Sequence, residues 1–259
     1  MPPDPALIAR LQAGLRAAAG YHLTPVDAAP FTVFVNPFDI LPYLNYAIPN
    51  APVADFVRGL ALARHVFAER RRRPRFEFIE EYASDLTAIL RTHGLHADER
   101  LPMLICTPAM LLGSPLPPGS HLVALDAQAD DALVRQHLET NERGFGAGNS
   151  GHFADDDLYR LRKMLAEGAG VTAYHEHAGP VATGMVNPPH EGVAEIVGIT
   201  TLQAWRGRGF ASAVTVRLAQ EAFARGISLL FLTAADERAS RVYERVGFQR
   251  VATLAMYTE

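Results

Sequence analysis

The chain has 259 residues, 49 % of them hydrophobic and 20 % charged, with a formal net charge of −4. That length builds one large or two small domains with a sizeable core, and the acidic balance excludes bulk attraction to nucleic acid or to an anionic membrane. The single cysteine, Cys106, excludes an intrachain disulfide and suits a reducing cytoplasm.

The first residues, MPPDPALIARLQAGLRAAAG, lack a basic segment followed by an apolar core, so no secretory signal is expected there. They predict an amphipathic helix over about 4–19. No run approaches the length needed to span a bilayer. A Pro- and aromatic-rich stretch follows, with a short strand at 31–35. Helical periodicity covers 54–69, RFEFI (75–79) is a strand, and EEYASDLTAILRTHG is a helix stopped by Gly94. LPMLICT (101–107) is an apolar strand in which Cys106 reads as core. The segment 108–120 is rich in Pro, Gly and Ser and reads as a linker. A boundary near residue 118 gives two domains, 1–117 and 118–259.

The second half restarts with the strand HLVALDA, a helix over 129–143 and a glycine-rich loop, GFGAGNSG (144–151). A helix over 155–167 and three strands follow: VTAYHEH, GPVATGMVN and AEIVGITTL. A helix after WRGRG, a strand at 228–234, a helix over 237–246 and a last strand, QRVATLAMYT, complete the chain. This order predicts an α/β chain, an α+β mixed sheet flanked by helices. The halves also match each other at a shift of 153 residues, placing Phe76 on Leu229, Phe78 on Phe231, Gly94 on Gly247 and Met103 on Met256. The first half therefore reads as a degenerate copy of the second half's strand–helix unit. It has no counterpart of WRGRG: Val53, Phe56 and Arg58 stand where the second half has Arg206, Gly209 and Ala211.

WRGRGFA (205–211) lies between a strand end and a helix start. Helix N-termini carry unpaired N–H groups and the positive end of the helix dipole. Gly207 and Gly209, lacking Cβ, let an anion approach the backbone, and Arg206 and Arg208 add positive charge. A phosphate or pyrophosphate fits this loop; a tight turn with solvated arginines fits it as well. Neither common glycine-rich nucleotide motif is present.

Arg206, Gly209 and Ala211 form R-x-x-G-x-A, which resembles the acyl-CoA pyrophosphate loop of the GNAT N-acetyltransferase superfamily. DERASRVYERVGF (236–248) resembles that family's second signature, N-x-x-A-x-x-x-Y-x-x-x-G-F. The two stand in the family's order and separation, and TTLQAWRGRGFASAVTVRLA is most similar to its FR47-like branch. The resemblance is firmest over 192–259. It implies a C-terminal GNAT fold with a degenerate GNAT-like N-terminal domain, the two in tandem. It also implies transfer of an acetyl group from acetyl-CoA, as co-substrate and without a metal, directly to a primary amine.

The same resemblance implies that backbone N–H groups of Arg206, Gly207, Arg208, Gly209, Phe210 and Ala211 hold the pyrophosphate. Ile199, Thr200 and Thr201 would pair their backbone with the pantetheine arm. A splay from strand 228–234 and a β-bulge would expose an N–H for the thioester oxyanion. Asp236 stands where the family prefers Asn, so it could only accept hydrogen bonds from the arm. Tyr243 matches the family's proton donor to the leaving thiolate. Glu195, eleven residues before Arg206, is the candidate base; on a regular strand it shares a face with Val197 and Ile199. Tyr243 and Glu195 also read as a core tyrosine and a solvent-facing edge residue.

The acceptor is expected to be a small molecule or peptide, with no nucleic-acid or membrane partner, and the chain a monomer or homodimer. A CoA-binding sensor or pseudoenzyme is the alternative; an aminoacyl-tRNA acetyltransferase sits poorly with the acidic balance. His175 and His177 read as a solvated hairpin rather than half a metal site. The arginines at 70–73 read as a helix C-terminus.

Overall fold

The computed structural model describes residues 3–146 and 153–259, so of the glycine-rich loop 144–151 only residues 144–146 fall within the described residues. The chain forms two compact units. One takes residues up to Met103 together with Thr233–Asp236 and Val251–Glu259, and the other takes Leu104–Leu232 and Glu237–Arg250.

The first unit opens with helix α1 (Pro5–His22), where Asp4 caps the first turn and Pro5 needs no N–H partner. Strands β1 (Thr24–Ala28), β2 (Phe31–Val35) and β3 (Asn45–Pro49) form an antiparallel meander. Of these only β2 is legible in the sequence. Helix α2 (Phe56–Glu69) leads to β4 (Arg75–Ile79), α3 (Ser84–Thr92) and β5 (His96–Cys106). Phe31, Phe67 and Phe76 are fully buried, with Phe31 edge-on to Phe76 at 5.1 Å between ring centroids. β3 and β4 run parallel but pair through a single position, Ala47 opposite Phe76. Beyond it the strands part, and a side chain spans the gap. Gln12 of α1, 1 % exposed, donates to the Pro49 carbonyl at 3.3 Å and accepts from the Ile79 N–H at 3.0 Å. Both strand ends are thereby satisfied without water.

The last strand, β11 (Gln249–Thr258), lies antiparallel to β4, with Leu254 opposite Ile79 and Thr258 opposite Arg75. A cut at residue 118 assigns this strand to the second domain; its pairing puts most of it in the first unit. Ala255 and Tyr257 are buried in that unit's core, the Tyr257 ring stacked 6.1 Å from Phe78. Below them Arg75, itself buried, donates to Glu77 (2.7 Å), to Asp98 and to the Met256 sulfur. The order β4-β11-β5 puts the C-terminal strand between two strands that follow each other in the chain.

The second unit contains β6 (Ser120–Leu125), α4 (Asp131–Gly144), α5 (Asp155–Glu167), β7 (Ala169–His175), β8 (Gly179–Val186), β9 (Val193–Thr201), α6 (Phe210–Ala224), most of β10 (Leu229–Thr233) and α7 (Glu237–Glu244). Its strands lie in the order β10-β9-β8-β7-β6, antiparallel except for β9 with β10. Successive β8 residues face opposite layers. A Cβ on Gly184 would lie 2.8 Å from Leu218 and 3.1 Å from Val214 of α6, whereas Met185 packs against the cluster that Val134 of α4 forms with Leu125, Leu158, Leu161 and Leu165. The absent Cβ lets α6 sit close on the sheet. The internal match at 153 residues holds element by element: α2, β4, α3 and β5 shift onto α6, β10, α7 and β11 within two residues at every start.

Candidate functional site

The centre of the second unit is the place where β9 leaves β10. The two pair in parallel only from Leu229–Val193 to Phe231–Glu195. From Ile196 onward β9 has no register partner in β10, so its backbone edge is open to an extended ligand on that side. Just past this point β9 bulges. Thr183 of β8 faces Thr200, but Met185 faces Val197, so Gly198 and Ile199 together oppose Gly184. Gly198 has φ +63°, the left-handed region that an extra bulge residue commonly occupies.

The bulge corrects one reading of the sequence. Alternation puts Glu195, Val197 and Ile199 on one face. The extra residue reverses the parity, so Ile199 reaches toward α6, its Cγ1 3.0 Å from where a Gly184 Cβ would be. Thr200 joins the α4 face and lies against Gly144.

The end of β9 leads through a 3-10 turn, Gln203–Trp205, into the glycine loop. Gly207 (φ +77°) and Gly209 (φ +94°) are left-handed, and a Cβ on either would meet nothing within 4 Å. Gly209 caps α6 without a side-chain hydrogen bond, so the first-turn N–H groups of α6 have no intrahelical partner. The Arg206 N–H is bonded to Gln203 O at 3.3 Å. Its guanidinium donates to two carbonyls, Thr201 O at 3.0 Å and Gly144 O at 2.9 Å. Arg206 is therefore a clasp between β9 and α4. Arg208 stacks over the Trp205 ring, 4.6 Å from its centroid, and Trp205 rests on His175 at 4.3 Å.

A buried polar row underlies this region, and sequence reasoning missed it. Thr172, Thr183 and Thr200 stand side by side across β7, β8 and β9. Above them α4 presents His137, Asn141 and Gly144 at helical spacing i, i+4, i+7. His137 Nδ1 contacts Thr172 Oγ1 at 2.9 Å, and Asn141 Nδ2 reaches Thr183 Oγ1 at 3.1 Å and Gly198 O at 2.7 Å. A Gly144 Cβ would sit 2.4 Å from Thr200 Oγ1. His137 is fully buried, and burial lowers its pKa to about 4. In the sequence, DALVRQHLETNERG offers polar residues on every side, so although Val134 and Leu138 mark an inner side, nothing shows that His137 and Asn141 reach partners in the sheet.

Glu195 is half-buried in mid-β9 and on the α4 face; Asn187 donates to its Oε2 at 3.1 Å and to its carbonyl at 2.8 Å. Tyr243 is half-buried in the last turn of α7, 6.3 Å from the Phe248 ring, and its carbonyl accepts from the Val246 and Phe248 N–H groups. Helix α7 packs against α6. Gly247 (φ +100°) ends that turn so closely under Met110 that a Cβ would lie 2.0 Å from Met110 O. Asp236 is exposed immediately before α7. Burial pushes the Cys106 thiol up to about 11, which leaves it protonated at neutral pH. Among the described residues no group of three His, Cys, Asp or Glu side chains is placed to hold a metal ion, and no helix is long and apolar enough to cross a membrane.

Residues 135–248 match the family model described as "Acetyltransferase (GNAT) family". Among solved structures, a GCN5-related N-acetyltransferase from Kribbella flavida is 24 % identical with a TM-score of 0.79, over 98 % of this chain and 95 % of that one. A GCN5-related N-acetyltransferase from Sphaerobacter thermophilus is 15 % identical with a TM-score of 0.68, over 100 % and 94 %. A tandem GNAT protein from the clavulanic acid biosynthesis pathway is 13 % identical with a TM-score of 0.66, over 88 % and 78 %. At such identities these likenesses establish the fold, here across nearly the whole chain. A comparison with curated proteins finds no match. The matched segment holds the splayed strand, the bulge, the glycine loop and Tyr243, so residues 135–248 form a GNAT-type acetyltransferase domain.

Proposed function

We propose that the second unit transfers the acetyl group of acetyl-CoA directly to a primary amine of a small molecule or peptide. One observation carries this reading: β9 parts from β10 after Glu195, and its free edge runs straight to two left-handed glycines and an uncapped helix start. A ligand with an amide-bearing extended arm and a pyrophosphate fits that sequence of features. The edge Ile199–Thr200–Thr201 pairs with the arm. The N–H groups from Gly207 through Ala211 hold the diphosphate, with Arg208 on Trp205 adding charge beside it. Arg206 acts through its two carbonyl contacts, which fix the loop.

Acetyl-CoA supplies an acyl thioester. The amine must shed a proton as its nitrogen bonds to the acyl carbon, and the departing sulfur must gain one as the carbon–sulfur bond breaks. Glu195 takes the first proton through water, held in place by Asn187. Tyr243 gives the second. A phenol near ~10 and a thiol near ~8.5 make that transfer uphill in water, so it depends on fixed geometry. The chain works as a monomer or homodimer, with no nucleic-acid or membrane partner.

The test is calorimetry followed by an amine panel with thiol-release detection. Acetyl-CoA should bind, and Gly209→Asp should weaken it by about a hundredfold, because a carboxylate then faces the diphosphate in the first turn. Undiminished affinity would overturn the loop assignment. Binding without turnover on any amine would favour a CoA sensor.

A further inference from the structure

We infer that Asn141 is a positioning residue: its carboxamide aims the Ile199 N–H at the thioester oxygen. This inference rests on the proposed acetyl-CoA reading and adds a residue to it. Gly198 O can only accept, so the atom facing it at 2.7 Å must be the Asn141 amide nitrogen. The same nitrogen also lies 3.1 Å from Thr183 Oγ1, the longer and weaker of its two contacts. Gly198 O and the Ile199 N–H are the two ends of one trans peptide and point in opposite directions. Holding the carbonyl toward α4 therefore turns the N–H away from α4. In a bulge this peptide is the one free to rotate, because the extra residue has no ladder partner; Gly198 at φ +63° adds freedom at its pivot. Without a fixed partner the oxyanion donor would be mobile, and a donor aids catalysis only when it is aimed before charge develops.

The neighbouring contacts fit this role. His137 on Thr172 fixes α4 one turn before Asn141, and Arg206 on Gly144 O fixes it three residues after. Asn141 is thus held between two anchors, both within the second unit. Its side chain links the helix that precedes the 147–152 segment to the peptide that meets the acyl group.

The test uses the full chain and acetyl-CoA labelled with carbon-13 at its carbonyl. Bound to the unaltered protein, the thioester carbonyl stretch should lie below its frequency in solution, as a hydrogen-bonded carbonyl does. Asn141→Asp keeps the shape but cannot donate; the band should return toward the solution value. Desulfo-CoA, which lacks the carbonyl, should bind both proteins within about threefold, and kcat on the amine chosen by the panel should fall by about tenfold to a hundredfold. Thr183→Val, which spares the Gly198 bond, should leave the band shifted. If Asn141→Asp does not fold, Asn141→Ser serves, since its side chain is too short to reach Gly198 O. A red-shifted band in the folded Asn141 variant overturns the inference while leaving the acetyl-CoA reading intact. Loss of desulfo-CoA binding in step with kcat also overturns it, by making Asn141 a support for β9 alone. Failure of the unaltered protein to bind acetyl-CoA overturns both.

Discussion

Acid should weaken this fold through His137, by an amount that its burial sets. The ring is fully buried between α4 and β7, with Nδ1 on Thr172 Oγ1 and Nε2 without a partner among the described residues. Protonation would bury a charge and an unmatched N–H, so the folded pKa lies near 4, below the ordinary 6.5. The folded state thus binds fewer protons than the unfolded chain between these values. The stability this provides is complete above pH 6.5 and is lost as pH falls toward 4. Between about pH 7 and about pH 5 the loss is about 2 kcal/mol, levelling near about 3 kcal/mol below pH 4. Urea unfolding at the two pH values, followed by far-ultraviolet circular dichroism, should show that loss in the unaltered protein. His137→Gln, which keeps a side-chain partner for Thr172, should show about 2 kcal/mol less of it. The imidazole signal of His137 in the folded protein should titrate near 4. A midpoint near 6.5, or the same pH dependence in both proteins, would refute the reasoning.

Tyr243→Phe should cut turnover by about a hundredfold while changing acetyl-CoA affinity little, since the ring still packs on Phe248; equal turnover by stopped-flow removes the hydroxyl from the chemistry. Gly144→Ala should cost about 1–3 kcal/mol by thermal unfolding, because a methyl 2.4 Å from the Thr200 hydroxyl forces α4 off β9. It should also weaken acetyl-CoA by displacing the Arg206 clasp, and a neutral result on both would dismiss the close approach. Gln12→Leu should destabilise by about 2 kcal/mol in urea, because the Ile79 N–H and Pro49 carbonyl lose their shared partner in a dry gap; unchanged stability would mean that the gap admits water.

Much of the site was legible because its signals are local. Two glycines and a polar turn before an amphipathic run can be read without tertiary information, since left-handed backbone and an uncapped helix start are properties of adjacent residues. Strand β4 and helix α5 fall within the very residues the periodicity marks. Strands β1 and β3 do not: TPVDA and NYAIP are short, carry prolines and sit at the end of a meander, where pairing supplies the order that propensity lacks. The register of β9 was also out of reach. An alternating pattern is blind to one extra residue, and the bulge at Gly198 moves Ile199 and Thr200 to opposite faces from those that alternation assigns.

The sequence by itself determined the strand–helix elements apart from β1 and β3, the loop that suits a diphosphate and the internal likeness of the two halves, because each depends on the chemistry of residues close in the chain. Only the tertiary structure decided where β11 pairs, since LAMY is apolar on both faces and would suit a central position in either unit. Only the tertiary structure, likewise, turned His137, Asn141 and Gly144 inward over three threonines. The apolar Val134 and Leu138 mark which side of α4 meets the core, but not that the polar side chains beside them find partners there; the hydroxyls of Thr172 and Thr183 supply those partners in place of water.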